Sequence, residues 1–324
     1  MGKSWHHSNN FMLFFQKDPT LEQQGHDLLE AVWAKFPGLA RNQIALTWIV
    51  YDDPVIVNTG GAISAAEFWQ YPVRGFSYRG VERIYPASVV KLFYLVAIHE
   101  WLATEMVQGS PELDRAIADM IRDSSNDATS LVLDVLSGTT SGPELPPQLL
   151  QTWAHQRNIV NRYYQALGWQ ELQGVNVNQK PWGDGPYGRE RQFVGEALEN
   201  RNMLTTDAIA RLLHGIIGGV AVSRDRSKTM MQLLRRSLQP VELPPGEENQ
   251  VMGFLGEGLP SQAKLWSKAG WTSRVRHDAA YIEVPYAQPY LLVVFTEGRL
   301  NSQNREILPT LSHLVLQKMA NLTP

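Results

Sequence analysis

The sequence predicts an α+β fold: a mostly antiparallel sheet built from both ends of the chain, flanked by helices, with an all-helical region inserted in the middle. Three observations predict it. Strand patterns occur near both ends of the 324 residues, the middle reads mainly as helix, and each end carries a helix with one apolar face. At this length the chain is one large domain with two subregions, or two domains.

Taken in order, "LEQQGHDLLEAVWAKF" from Leu21 repeats Leu28, Leu29, Val32 and Phe36 at helical spacing. "QIALTWIVYD" then alternates Ile44, Leu46, Trp48 and Val50 on one face, the pattern of a half-buried strand. A strongly apolar helix follows Lys91. From Leu136 to Gly195 the stretches "LSGTTSGPELPP" and "VNVNQKPWGDGPYG" read as long loops flanking a helix around Asn161 to Leu172, and long loops in compact domains tend to be functional. "KLWSKAG", "RHDAAYIEVP" and "PYLLVVFTEG" predict three closing strands. A last helix, Arg305 to Leu322, turns Ile307, Leu311, Leu314 and Val315 to a core. About five strands are expected in all. Residues 20–90 and 252–324 are expected to form the sheet and terminal helices, 91–251 a helical subdomain, and 1–19 a flexible N-terminus.

Composition narrows the function. Hydrophobic residues make up 44% and charged residues 19%, an ordinary soluble balance. A net charge of -3 with no dense basic patch gives no electrostatic case for nucleic acid. The absence of cysteine excludes disulfides, thiolate metal sites and a thiol nucleophile. The apolar run Phe11 to Phe15 is too short for a membrane span or a secretory h-region, so a soluble chain without a visible signal peptide is expected. His6 and His7 read as solvated terminal residues, and neither a metal nor a cofactor is expected.

"YPASVVKLFYLVAIHEWL", residues 85–102, sets Ser88 and Lys91 on one face at the head of a helix apolar all round. A buried ammonium costs desolvation energy, so Lys91 needs a partner or a task. Ser88 lies where unpaired backbone N–H groups can stabilise an oxyanion, and a neutral Lys91 can take its hydroxyl proton. A snorkelling lysine is the simpler reading of this motif alone. Two further stretches weigh against it. "MIRDSSNDATSLVLD" holds Ser124 and Asn126 in S-x-N spacing, and "LWSKAGWTSRVRHDAAYIE" places Lys268 and Gly270 in K-x-G on a strand edge.

S-x-x-K, S-x-N and K-x-G in this order resemble the active-site set of class A β-lactamases and penicillin-binding proteins. The resemblance covers roughly Ile44 to Leu316 and includes the "TTDAIARLL" helix start near Thr205. It implies Ser88 as acylated nucleophile, Lys91 as its base or a partner to it, and Ser124 as proton relay to the leaving nitrogen. It implies Asn126 as a hydrogen-bond partner of a substrate amide, Lys268 as positive charge for Ser124 and a substrate carboxylate, and the backbone N–H groups of Ser88 and Trp271 as oxyanion hole. Gly270, Thr272 and Arg276 would complete the substrate subsite. Ser124 and Asn126 read independently as helix N-cap residues, a role compatible with catalysis.

The sequence departs from the resemblance in three ways. Ala269 stands where β-lactamases carry Thr or Ser, leaving Thr272 or Ser273 to supply that hydroxyl. The Lys91–Ser124 spacing is shorter than in typical class A enzymes. The E-x-x-L-N signature that supplies their deacylating base is missing; "GRERQFVGEALEN" offers Glu190, Glu196 and Glu199 outside the pattern, each reading first as a surface charge. The expectation is a β-lactamase-like serine hydrolase with slow deacylation, acting on a β-lactam or a peptidoglycan-like peptide. A DD-peptidase, penicillin-binding protein or esterase is the alternative, a glutaminase a more distant one, and a silent binder of cell-wall fragments a third. A cell-wall substrate would place the protein in the periplasm or outside the cell.

Overall fold

Strand propensity and cross-strand burial combine into one sheet in the computed structural model, which describes residues 14–52, 64–71, 73–182, 185–239 and 249–321. His6 and His7 lie outside the described residues. The strands are β1 (Phe15–Lys17), β2 (Ile44–Val50), β3 (Val73–Tyr78), β4 (Arg235–Arg236), β5 (Lys264–Trp271), β6 (Val275–Val284) and β7 (Ala287–Glu297). Their spatial order is β1-β3-β2-β7-β6-β5-β4, and every pairing except β1 with β3 is antiparallel. β2 near the N-terminus therefore lies directly beside β7 near the C-terminus, in the same sheet as Lys268. Seven described strands exceed the expected five because β1, inside the stretch expected to be flexible, and β4 are short edge additions.

One face of the sheet is covered by terminal helices. α1 (Pro19–Lys35) starts on an Asp18 cap that accepts the Leu21 N–H at 2.9 Å, with Pro19 at its first position. Its Leu21, Leu28, Leu29 and Val32 join Ile44, Leu46, Trp48 and Val50 of β2 and Tyr290, Leu292 and Val294 of β7 in one core. The C-terminal helix Ile307–Asn321 adds Ile307, Leu311 and Val315.

The opposite face carries a second core. Ala45 and Ile49 of β2 and Leu291, Val293 and Phe295 of β7 point into it. The alternation in β2 is thus not that of a half-buried strand, because helices cover both faces and all seven residues are buried. Thr47 is tolerated there because its hydroxyl donates to Asp207 at 2.6 Å.

Helices fill the chain between β3 and β4. A short helix α2 (Ala65–Phe68) precedes β3, and after β3 come α3 (Lys91–Ala103), α4 (Pro111–Arg122) and α5 (Asn126–Ser137). α6 (Pro147–Arg157), α7 (Ile159–Ala166), α8 (Gly188–Val194), α9 (Thr206–Ile217) and α10 (Arg224–Leu234) complete the run. α6 occupies part of the region expected to be loop, and the expected helix around Asn161 to Leu172 is shorter, ending at Ala166 before a single turn at Gln170–Leu172. α9 begins on Thr205, whose hydroxyl accepts the Ala208 N–H, at the predicted start. α3 is buried from Lys91 through His99 on every side, as its composition requires. No helix among the described residues is long and apolar enough to cross a membrane.

Candidate active site

Ser88 sits in a single 3-10 turn, Ala87–Val90, that runs into α3. Pro86 cannot continue a strand ladder, and Ala87 takes a left-handed φ of 46°, which reverses the chain onto the helix. The turn packs against β5 at Gly270. A Cβ built there would lie 2.8 Å from the Ser88 nitrogen and 2.9 Å from both the Pro86 oxygen and the Val89 nitrogen. Only glycine permits this approach of backbone to backbone. Ser88 is half-buried, and among the described residues its hydroxyl has no hydrogen-bond partner.

Lys91 is fully buried one turn on. Its Nζ donates to the Ser124 carbonyl at 2.5 Å, Ser124 Oγ at 3.2 Å and Asn126 Oδ1 at 2.9 Å. All three acceptors are neutral, so nothing offsets the loss of water around a cation, and burial lowers the Lys91 pKa to about 7. Lys268, also fully buried, reaches the same hydroxyl from β5: its Nζ donates to Ser124 Oγ at 3.0 Å, Gln250 Oε1 at 2.5 Å and the Ala269 carbonyl at 2.7 Å. Burial lowers its pKa first, and the neighbouring charges of Lys91 and Arg236 lower it further. Among the described residues neither lysine forms an ion pair with a carboxylate.

Ser124 is presented by the loop between α4 and α5, with a left-handed φ of 57°. It is not the helix cap that the sequence suggests. Ser125 accepts the Ala128 N–H at 3.1 Å and caps α5, while Asn126 is the first helical residue. Capping by the next residue leaves the Ser124 hydroxyl to the two lysines.

Two residues that sequence reasoning missed hold this loop against β5. Gln250 donates to the carbonyls of Ile121 and Arg122 while its oxygen accepts from Lys268. Arg236 donates to the same two carbonyls and to that of Ser267. Neither lies in a recognisable motif.

The remaining predicted residues divide. Trp271 is half-buried at the end of β5 and Thr272 is exposed in the following turn, where its hydroxyl accepts the Arg274 N–H at 3.2 Å. Arg276 does not join the lysines. It is buried on the opposite side of the sheet, stacked over Phe254 and donating to the Ser302 carbonyl at 2.9 Å. Ala269, one position from Lys268, faces the terminal-helix core for the same reason of alternation. Glu196 and Glu199 are exposed, as a surface reading expects. Glu190 is not a surface charge: it is buried, accepting from Arg157 at 2.7 Å and Ser141 at 2.8 Å, with Lys180 at 3.8 Å and Asp134 bridging the two cations. Arg157 at the end of α6 and Lys180 in the loop before α8 supply the counter-charge that makes this burial possible.

A family model described as the β-lactamase enzyme family matches residues 70–319, which span every element of this site. The chain belongs to the β-lactamase enzyme family. Solved structures agree on the fold of this β-lactamase family member. A β-lactamase from Sphaerobacter thermophilus superposes with a TM-score of 0.60 at 19% identity, covering 92% of this chain and 98% of that one. A point variant of PBP-A, solved as its acyl-enzyme with penicillin G, gives 0.62 at 18%, covering 95% and 98%. A class A β-lactamase from Bacteroides cellulosilyticus gives 0.58 at 13%, covering 94% and 100%. No curated protein matches the sequence.

Proposed function

We propose that this family member cleaves an amide through an acyl-enzyme on Ser88, with a β-lactam or a peptidoglycan-like peptide as substrate, and releases the acyl group slowly. The observation that carries the reading is the convergence of Lys91 and Lys268 on Ser124 Oγ, at 3.2 and 3.0 Å, one turn from an accessible Ser88 hydroxyl. Lys91, whose pKa burial lowers to about 7, serves as base in its neutral form. The Ser88 oxygen attacks the carbonyl carbon and its proton passes to Lys91. The C–N bond then breaks, and Ser124 delivers a proton to the leaving nitrogen, leaving an ester on Ser88. Water must hydrolyse that ester to restore the hydroxyl. The backbone N–H groups of Ser88 and Trp271 receive the developing oxyanion, Asn126 the substrate amide, and Lys268 the substrate carboxylate.

Slow release is supported by the state of the glutamates. The carboxylate of Glu190 is already engaged by Arg157, Lys180 and Ser141, and Glu196 and Glu199 face solvent. A poised base has neither environment. This favours behaviour closer to a penicillin-binding protein than to an efficient β-lactamase. Intact-protein mass spectrometry after incubation with penicillin tests both parts. The expected result is a persistent adduct of one penicillin, absent in Ser88→Ala. No adduct together with rapid loss of the drug's β-lactam absorbance would replace slow release by efficient turnover, and an adduct surviving in Ser88→Ala would move the nucleophile.

A further inference from the structure

The turn that presents Ser88 is held from below by a residue to which the mechanism above assigns nothing. His277 lies on β6 directly opposite Gly270 of β5, so the two occupy adjoining places on the face that supports the Pro86–Val89 backbone. Its ring is fully buried and stacked on Phe295 at 3.9 Å between centroids, with planes 18° apart. Both ring nitrogens are engaged. Nδ1 accepts the Thr296 N–H at 3.1 Å, which requires that nitrogen to be unprotonated. The proton therefore sits on Nε2, 2.9 Å from the Tyr85 carbonyl. Burial lowers the His277 pKa to about 4, which keeps this neutral tautomer in place at working pH.

The Tyr85 carbonyl is where the entering chain needs an anchor. One residue earlier, Ile84 exchanges backbone hydrogen bonds with Leu204 at 2.8 and 2.9 Å. Two residues later, Ala87 adopts a φ of 46°, a conformation that a non-glycine residue keeps only when its surroundings impose it. Leu204 holds one side of the segment and His277 the other, so the left-handed turn closes between fixed ends, with the Ser88 nitrogen pressed against Gly270.

We infer that His277 is a positioning residue for Ser88, clamping the Tyr85 carbonyl through Nε2–H so that the Ala87 turn presents the serine hydroxyl and N–H in one fixed geometry. The functional side of this inference rests on Ser88 being the nucleophile; the clamp itself does not. The two ring nitrogens can be separated by substitution. Glutamine places an amide N–H near the position of Nε2 and retains the bond to Tyr85. Asparagine places its amide near Nδ1 and loses that bond, at similar cost to packing on Phe295.

Hydrogen exchange of the peptide spanning 84–91, read by mass spectrometry, tests the clamp without requiring any reaction. The expected result is exchange at least tenfold faster in His277→Asn and close to the parent in His277→Gln, with both variants folded by circular dichroism. Acylation by penicillin should fall about a hundredfold in His277→Asn, the scale of a displaced reacting group, and recover in His277→Gln. Its rate should keep the same midpoint near pH 7, because the Lys91 environment is untouched. Unchanged exchange in His277→Asn, or equal loss in both variants in step with their melting temperatures, would overturn the inference. Exchange that follows the expected order in a protein that penicillin never acylates would leave the clamp standing and remove the nucleophile reading.

Discussion

Lys91 carries its environment in its pKa. In the proposed mechanism the neutral amine is the base, so the acylation rate should rise with pH through about 7 and level off above it, as a stopped-flow profile with a reactive β-lactam would record. Lys91→Ala should lower the plateau by at least about a hundredfold. The same depression sets a stability trend. Between about pH 7 and the ordinary lysine value near 10.4, the unfolded chain holds a proton that folded Lys91 has released, so the Lys91 contribution to stability rises with pH across that window. Below the window the full cost of burying the ammonium is present. Lys91→Met should therefore raise the melting temperature, most at pH 6 and progressively less toward pH 10, while abolishing acylation. Ala269 offers a second test at this scale. Restoring the hydroxyl that β-lactamases carry, by Ala269→Thr, adds a polar group to the closed core beside Phe254 and Leu255. It should lower stability by about 1–3 kcal/mol in urea titrations and leave acylation no faster.

At the scale of elements, the site depends on how a strand meets a turn and how a loop meets a helix. Gly270→Ala would drive a methyl group into the Ser88 and Val89 nitrogens and the Pro86 oxygen, none of which is a flexible side-chain end. Penicillin labelling of that variant should fall at least about a hundredfold even in the fraction that folds, as a quantitative adduct time course would show. Ser125→Ala removes the cap of α5 and should cost about 1 kcal/mol in the unfolding free energy. The S-x-x-K, S-x-N and K-x-G spacings were legible because one turn or one strand edge places each of them locally. The cap was misassigned by one residue because a left-handed Ser124 shifts the helix start, and no propensity signals that. Gln250, Arg236 and the role of His277 were illegible for a different reason. Each acts on carbonyls more than 100 residues away along the chain, on Ile121 and Arg122 or on Tyr85, and only the assembled sheet brings them there.

For the whole molecule, one sheet separates two closed cores, and the proposed catalytic set lies on the side of one of them. The alternations of β2 and the closing strands were readable as strands from their periods, but their burial on both faces followed from coverage by two sets of helices. Glu190 was misjudged for the same reason, since its counter-charges come from α6 and from the loop at Lys180. The division predicts independence. Leu308, fully buried among the terminal helices, makes no contribution to the Ser88 side, so Leu308→Ala should cost about 2–5 kcal/mol in urea unfolding. The acylation rate of its folded fraction, measured well below the unfolding midpoint, should match the parent.

The acceptors around Lys91 also count its protons. Three of them, the Ser124 carbonyl, Asn126 Oδ1 and Ser124 Oγ, match the three N–H bonds of an ammonium, while Lys268 occupies the other side of the Ser124 hydroxyl at 3.0 Å. With both lysines donating, the hydroxyl hydrogen has only the open cleft to point toward. When Lys91 loses a proton it keeps two N–H bonds and gains a lone pair. Of its three partners only Ser124 Oγ, the most distant at 3.2 Å, owns a hydrogen with which to answer that lone pair. The polarity of one hydroxyl thus reverses with the charge of one amine: outward when Lys91 is an ammonium, inward when it is an amine. In the proposed mechanism, taking the proton from Ser88 would itself turn the Ser124 hydroxyl to face the leaving group, so the base step would set the direction of the acid step that follows.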